Sequence, residues 1–221
     1  MDLSDAPNLC GLFVHSLSID GASISVFDNA GRQVTVCATN SLAARIDELQ
    51  FELGVGPSWE AMRTNSRIMV QDASAPDPNL PPLLGAALKD LDIRALFAFP
   101  MVLGAVVVGV VSLYRERDVL LTEHELAQAH GLVGRVTTPA VRLALRTAAM
   151  DVDSTTTVFA PAVRREVHQA TGMILVQLDV SATEAFLRLR ARAFSTSRSI
   201  QDIAHDVVTR VLDFRDVPND G

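Results

Sequence analysis

The chain has 221 residues, enough for one large domain or two modest ones, with 48% hydrophobic and 20% charged residues. That balance supports a buried core and excludes a disordered or collagen-like chain. The net charge of −7 offers a polyanion no basic surface at the level of the whole chain.

The first residues carry Asp2 and Asp5 without a basic cluster, so no secretory leader is expected. Residues 9–17 read as a short helix. Ile24–Phe27 and Val34–Thr39 are strand-like, with turn chemistry in Asp28-Asn29-Ala30-Gly31. Two cysteines, Cys10 and Cys37, are too few for a zinc site of their own or a disulfide framework. They read as small core residues of a chain in a reducing cytoplasm. A polar helix around 41–49 precedes Leu53-Gly54-Val55-Gly56-Pro57-Ser58, where glycine and proline force a loop. Trp59 begins a further helix, Ile68–Val70 is a short strand, 72–82 is a proline-rich loop and 83–91 is helical.

From Ala95 to Tyr114 no residue is charged, and about 20 apolar residues could span a bilayer. Pro100, Gly104 and Gly109 interrupt the run, however, and valine dominates it. Two buried strands turning near Leu103-Gly104 account for it better, and no membrane span is expected. The order of elements predicts an α+β domain with one mainly antiparallel sheet flanked by helices. On Leu53-Gly54-Val55-Gly56-Pro57, Ile68-Met69-Val70-Gln71-Asp72, Ile93-Arg94-Ala95 and Phe99-Pro100-Met101, residues about 8–148 resemble a GAF domain. The resemblance implies a small-molecule sensor, with no bilin-type cysteine after Cys37 and no legible cyclic-nucleotide signature. Its ligand is unknown from the sequence.

His15, His124 and His130 lack metal-ligand spacing. No Ser/His/Asp arrangement, phosphate loop or carboxylate pair is present, so neither catalysis, a metal nor a cofactor is expected. Thr122-Glu123-His124-Glu125 is a capping box opening a long helix. Leu126, Ala129, Val133, Val136, Ala140, Ala144 and Ala148 form one stripe along it. Pro139 should kink that helix or restart it with Thr138 as N-cap. The stripe fits either a helix lying on the sheet or a seam between two chains. Residues 151–157 are apolar-poor and turn-prone, a linker between a domain 1–150 and a module 158–221.

Three helices are expected in that module. Phe159, Val163, Val167, Ala170, Ile174 and Leu178 make the buried face of the first, with Arg165, His168 and Gly172 opposite. A glycine there is either a packing residue or lets a partner approach the backbone. Ser181 and Glu184 open the second helix, with Ala185, Phe186, Leu189 and Ala193 inward. Arg188 and Arg192 share one flank, and Arg190 takes the other. Like charges at that spacing repel, so either water or an anion relieves them. Ser199 opens the third, whose stripe is Ile200, Ile203, Ala204, Val207 and Val211.

The segments Val167-His168-Gln169-Ala170-Thr171-Gly172-Met173, Ser181-Ala182-Thr183-Glu184-Ala185, Leu189-Arg190-Ala191-Arg192-Ala193-Phe194 and Ile203-Ala204 closely resemble the ANTAR domain, over 158–214. The resemblance implies an all-α three-helix RNA-binding module that acts in transcription antitermination by holding paired small stem-loops. Many members carry lysine where this chain has Thr171. For RNA, Gln169 and Thr171 can read base edges and Gly172 permits close approach. Arg165, His168, Arg188, Arg190, Arg192 and Arg198 are the remaining candidate contacts, by phosphate bonding or stacking. Phe194, with Leu187, is expected either to stack a base or to pack on the GAF domain. Binding two stem-loops at once implies a homodimer. The expectation is a cytoplasmic RNA-binding antiterminator governed by a GAF signal. The alternative is a GAF sensor whose C-terminal bundle only dimerises or binds protein.

Overall fold

Alternation along the strands decides how the N-terminal half is layered. The computed structural model describes residues 6–27, 33–117, 120–150, 162–196 and 198–216; at 6–8, 148–150, 162–165 and 183 only the backbone is described. These residues fall into two units, one up to residue 150 and one from 162 on. The expected linker 151–157, the turn at 28–31 and Phe159 lie outside the described residues, as do the side chains of Ala148, Val163 and Arg165.

In the first unit, β1 (Gly21–Phe27), β2 (Gln33–Ala38), β3 (Ile68–Val70), β4 (Ala95–Leu103) and β5 (Val106–Arg115) form one antiparallel sheet in the order β2-β1-β5-β4-β3. The uncharged run is thus a hairpin, β4–β5, turning at Gly104 with φ 64°. Among the described residues no helix is long and apolar enough to cross a membrane. Helices α1 (Ala6–Ser16), α2 (Ser41–Leu53), α3 (Pro57–Thr64), α4 (Pro82–Asp90) and α5 (Glu123–Met150) cover the sheet. Ala22, Ile24, Phe97, Phe99, Val111 and Leu113 point to one face and are sealed by α1 and α5. Leu96, Ala98, Val110 and Tyr114 point to the other, under α2, α3 and α4.

That second face also buries polar groups, each bonded. Ser25 and Thr35 donate to the carboxylate of Asp47, which is 1% exposed, and Gln33 Nε2 donates to it at 2.9 Å. The Ser58 and Ser112 hydroxyls lie 2.7 Å apart, and Gln50 accepts from the Ser58 N–H. Neither cluster is legible in the sequence, because both depend on residues far apart in the chain.

The capping box at Thr122 is complete: Glu125 N donates to Thr122 Oγ1, and Thr122 N donates to Glu125 Oε2 at 2.8 Å. The following helix passes through Pro139 without restarting at Thr138, contrary to one sequence expectation. Its stripe of Leu126, Ala129, Val133, Val136, Ala140 and Ala144 is buried on the sheet on both sides of the proline. Packing that stays in register across the break outweighs the lost backbone bond, about 3 kcal/mol. The stripe is therefore used within the chain and is not a free seam.

The cysteines correct a second expectation. Cys10 on α1 and Cys37 on β2 are bonded to each other, with Cα atoms 6.0 Å apart, and no cysteine is free. A β-bulge explains the meeting. Ile24 pairs with Cys37 but Ser25 pairs with Thr35, so Val36 is extra and Thr35 and Cys37 face opposite sides of the sheet. Cys37 is thereby turned toward α1.

Candidate nucleic-acid interface

The second unit packs α6 (Ala162–Leu178) against both α7 (Ala182–Ser195) and α8 (Ile200–Val208). Apolar residues at spacings of three and four supply its core: Val167, Ala170 and Ile174 meet Ala185, Leu189, Ala193, Ile203, Ala204 and Val207. Ser181 caps α7 by accepting from Glu184 N, and a full capping box of Ser199 and Asp202 starts α8. Val211 does not extend the α8 stripe; it is 77% exposed. The helix stops at Val208, Arg210 takes a left-handed φ of 61°, and the N–H groups of Val211 and Leu212 bond back to Asp206. The chain then doubles back to bury Phe214, whose N–H donates to Gln177 Oε1 on α6.

The outer face of α6 carries Gln169, Gly172 and Val176, all exposed. A methyl group placed on Gly172 would meet nothing within 4 Å. Gly172 is thus not a packing residue of its own bundle. Thr171 is partly committed, since its hydroxyl donates to Val167 O at 2.7 Å. Together with Arg210, Asp213 and Arg215, Gln169 and Gly172 line an open groove of about 490 Å³. Arg215 bonds Asp213 and holds that carboxyl down to about 2. Arg210 and Arg215 escaped sequence reasoning because they follow the last helical stripe, and only the turn at Arg210 brings them back to α6.

On α7 the arginines differ sharply. Arg188 is paired with Glu184 at 2.9 Å. Arg190 lies over the Phe186 ring, 5.9 Å from its centroid, where burial lowers its pKa. Arg198, before α8, is tied to Asp206 at 2.6 Å, and that bond raises its pKa. Arg192 has no carboxylate partner among the described residues. His168 is half-buried on α6. Hence Arg188, Arg190, Arg192 and Arg198 do not form one patch of open guanidiniums. Between its arginine flanks, the outward face of α7 presents Leu187, Ala191 and Phe194, spaced four and three; Phe194 is 75% exposed.

The chain thus combines a sheet-and-helix unit with a three-helix unit whose outer surface is edged by arginines. The chain belongs to the GAF domain family, which matches residues 8–138, and residues 159–208 match the ANTAR domain. Both are signalling and regulatory domains, so the chain is a regulator that carries an RNA-binding domain. Among solved structures it is similar to a domain from a two-component sensor histidine kinase protein of Sinorhizobium meliloti 1021. The TM-score is 0.52 at 22% identity, covering 67% of this chain and 97% of that one. The GAF domain of a two-component sensor histidine kinase from Bacillus halodurans gives a TM-score of 0.51 at 16% identity, covering 66% and 99%. These likenesses speak to the fold of the first unit. No curated protein matches the chain.

Proposed function

We propose that the C-terminal module binds paired small stem-loops in nascent RNA and thereby acts in transcription antitermination, under a signal sensed by the GAF domain. The observation that carries this reading is the outward face of α7. It sets an exposed aromatic, Phe194, between two arginine flanks, one of which carries Arg192, an arginine with no carboxylate partner among the described residues. Unpaired loop bases are held by stacking on aromatic or guanidinium planes, and their phosphates by arginine. The open surface at Gly172 adds room for close approach, with Gln169 and the lone pairs of Thr171 able to meet base edges. His168 and Arg165 on the same helix complete the proposed contacts. Arg188, Arg190 and Arg198 belong to the set as groups that must leave a protein partner, or keep it, while touching RNA. One module offers a small face, so two stem-loops imply a homodimer, which raises the effective concentration of the second contact. A protein that meets nascent transcripts works in the cytoplasm.

The apolar members of the same stripe, Leu187 and Phe194, favour a second reading, in which the bundle docks protein and binds no RNA. Titrating the full chain with a labelled two-stem-loop RNA separates them. Under the first reading the RNA binds better than a scrambled control and better than a single stem-loop. Equal affinity for all three, or none, rejects it.

A further inference from the structure

The two cysteines meet where the N-terminal helix crosses an edge strand of the sheet. Helix α1 is held there by Leu9 and Phe13, with Leu17 just past its end, all buried in the same cluster, and β2 is held by its pairing with β1. Both backbones are thus positioned by forces independent of the bond. Their Cα separation of 6.0 Å lies in the ordinary range for a bridged pair, so the bond can close without moving either element far. They are the only cysteines of the chain, so no other thiol of the same molecule competes.

We propose that Cys10 and Cys37 form a reversible thiol–disulfide site, reduced by a dithiol and reoxidised by peroxide, whose state sets how firmly α1 is held on the sheet and on α5. The proposal rests on the RNA-binding reading in one respect: that reading places the chain where thiols are kept reduced. A disulfide in such a compartment is a responsive one rather than a permanent staple. Cys10 is fully covered and Cys37 retains 6% exposure on the edge strand, so attack enters at Cys37. A reductant thiolate bonds to Cys37 Sγ, the Sγ–Sγ bond breaks, and Cys10 leaves as the thiolate. The reductant's second thiol then displaces Cys37. The dithiol ends as a disulfide, and two electrons and two protons have passed to the cysteines. In the reverse direction the Cys37 thiolate attacks a peroxide oxygen, giving a sulfenic acid and water. Cys10 condenses with it, releasing a second water.

Opening the bond removes the one covalent tie between α1 and β2. What remains is apolar packing, including that of α1 against α5, so local opening of α1 becomes easier. The test uses the full chain, cycled between excess dithiothreitol and hydrogen peroxide. Thiols are counted by mass after alkylation in denaturant, and amide hydrogen exchange is followed over residues 6–16. Two thiols per chain after dithiothreitol, none after peroxide and two again on returning are expected, with exchange over 6–16 severalfold faster in the reduced form. The double variant C10S/C37S should exchange like the reduced protein under both conditions. A bond that native protein never yields to dithiothreitol, thiols that survive peroxide, or identical exchange in the two states would each overturn the proposal. RNA binding is measured on the same samples. Its absence in both states rejects the RNA reading, while the thiol counts and exchange still decide the couple.

Discussion

The two units treat charge in opposite ways. In the GAF unit, charged groups that go inside are bonded in place. Arg115, 4% exposed at the end of β5, donates to the carbonyls of Ser18 and Leu120 and to the carboxylate of Glu125. In the ANTAR unit the arginines stay at least partly exposed: Arg188 pairs with Glu184, Arg198 pairs with Asp206, Arg190 lies over the Phe186 ring, and Arg192 has no ion pair among the described residues. Exposed pairs contribute at most about 1 kcal/mol to stability. A guanidinium enclosed by carbonyls and a carboxylate holds a fold together, whereas one whose donors face water is available to an outside anion. Arginine count alone cannot tell these uses apart.

The largest effect is expected at Arg115. Replacing it by methionine strands Glu125 and the two carbonyls, and the first unit should lose about 3–5 kcal/mol in denaturant unfolding. Burial pushes the Glu125 carboxyl up, but bonds from Thr122 and the Arg115 charge outweigh it, so the group sits below the usual carboxylate range. A carboxyl lowered on folding gives stability that is present at neutral pH and lost as pH falls through the lowered value. That acid-dependent part should shrink in the methionine variant. An unchanged pH profile would show that the pair does not anchor the unit.

The next effect is at Gly109, where β5 passes β1. A Cβ there would collide with Met101 Cε and with the carbonyl oxygen of Ser25. The methionine can turn away, but the carbonyl belongs to the sheet ladder. Gly109→Ala should therefore cost about 1–3 kcal/mol, the usual penalty for overpacking a filled site. A thermal midpoint equal to that of the parent chain would mean the strands can separate more freely than this packing implies.

Local signals made much of this architecture readable. The breakers at Pro100 and Gly104 distinguished a hairpin from a membrane span, and the spacing of Leu126 through Ala144 located the buried face of α5. Three features were hidden, each for a physical reason. The bulge at Val36, which turns Cys37 toward α1, leaves no mark in a run of β-formers. The continuity of α5 through Pro139 depends on packing against a distant sheet. At the candidate interface, helical spacing places Gly172 opposite the buried face of α6 and Arg188 and Arg192 on one flank of α7, yet the pairing of Arg188 and Arg198 could not be weighed until their neighbours were placed. Arg198 reaches Asp206 only because α8 runs back beside it.

A smaller effect separates the arginines of the proposed RNA surface from one another. Arg192→Ala should weaken stem-loop binding about tenfold, the worth of one charge-assisted hydrogen bond. The slope of log affinity against log salt should also fall by about one. Arg188→Ala should cost less, since Arg188 must first give up Glu184 to reach a phosphate. Folding of the bundle should survive both changes, as followed by helical circular dichroism. Equal losses at the two positions would mean that the Glu184 pair opens freely in solution.

The smallest change in stability is expected at Gly172, and its sign is opposite to that at Gly109. A methyl group at Gly172 enters open space, so the only term left for the fold is helix propensity, worth up to about 1 kcal/mol in favour of alanine. Gly172→Ala should therefore raise the unfolding midpoint of the ANTAR unit slightly. Gly172→Leu should leave it folded as well, because the longer side chain also extends away from Val167, Ala170 and Ile174. RNA affinity should move the other way, falling a little with alanine and strongly with leucine, as bulk replaces the gap a backbone or base would fill. Stability and affinity moving in opposite directions at one residue is the signature of a contact surface. If leucine unfolds the unit, Gly172 is a packing residue after all. If both variants fold and bind RNA like the parent, the nucleic acid lies elsewhere, and the face of α7 around Arg192 and Phe194 would have to hold it alone.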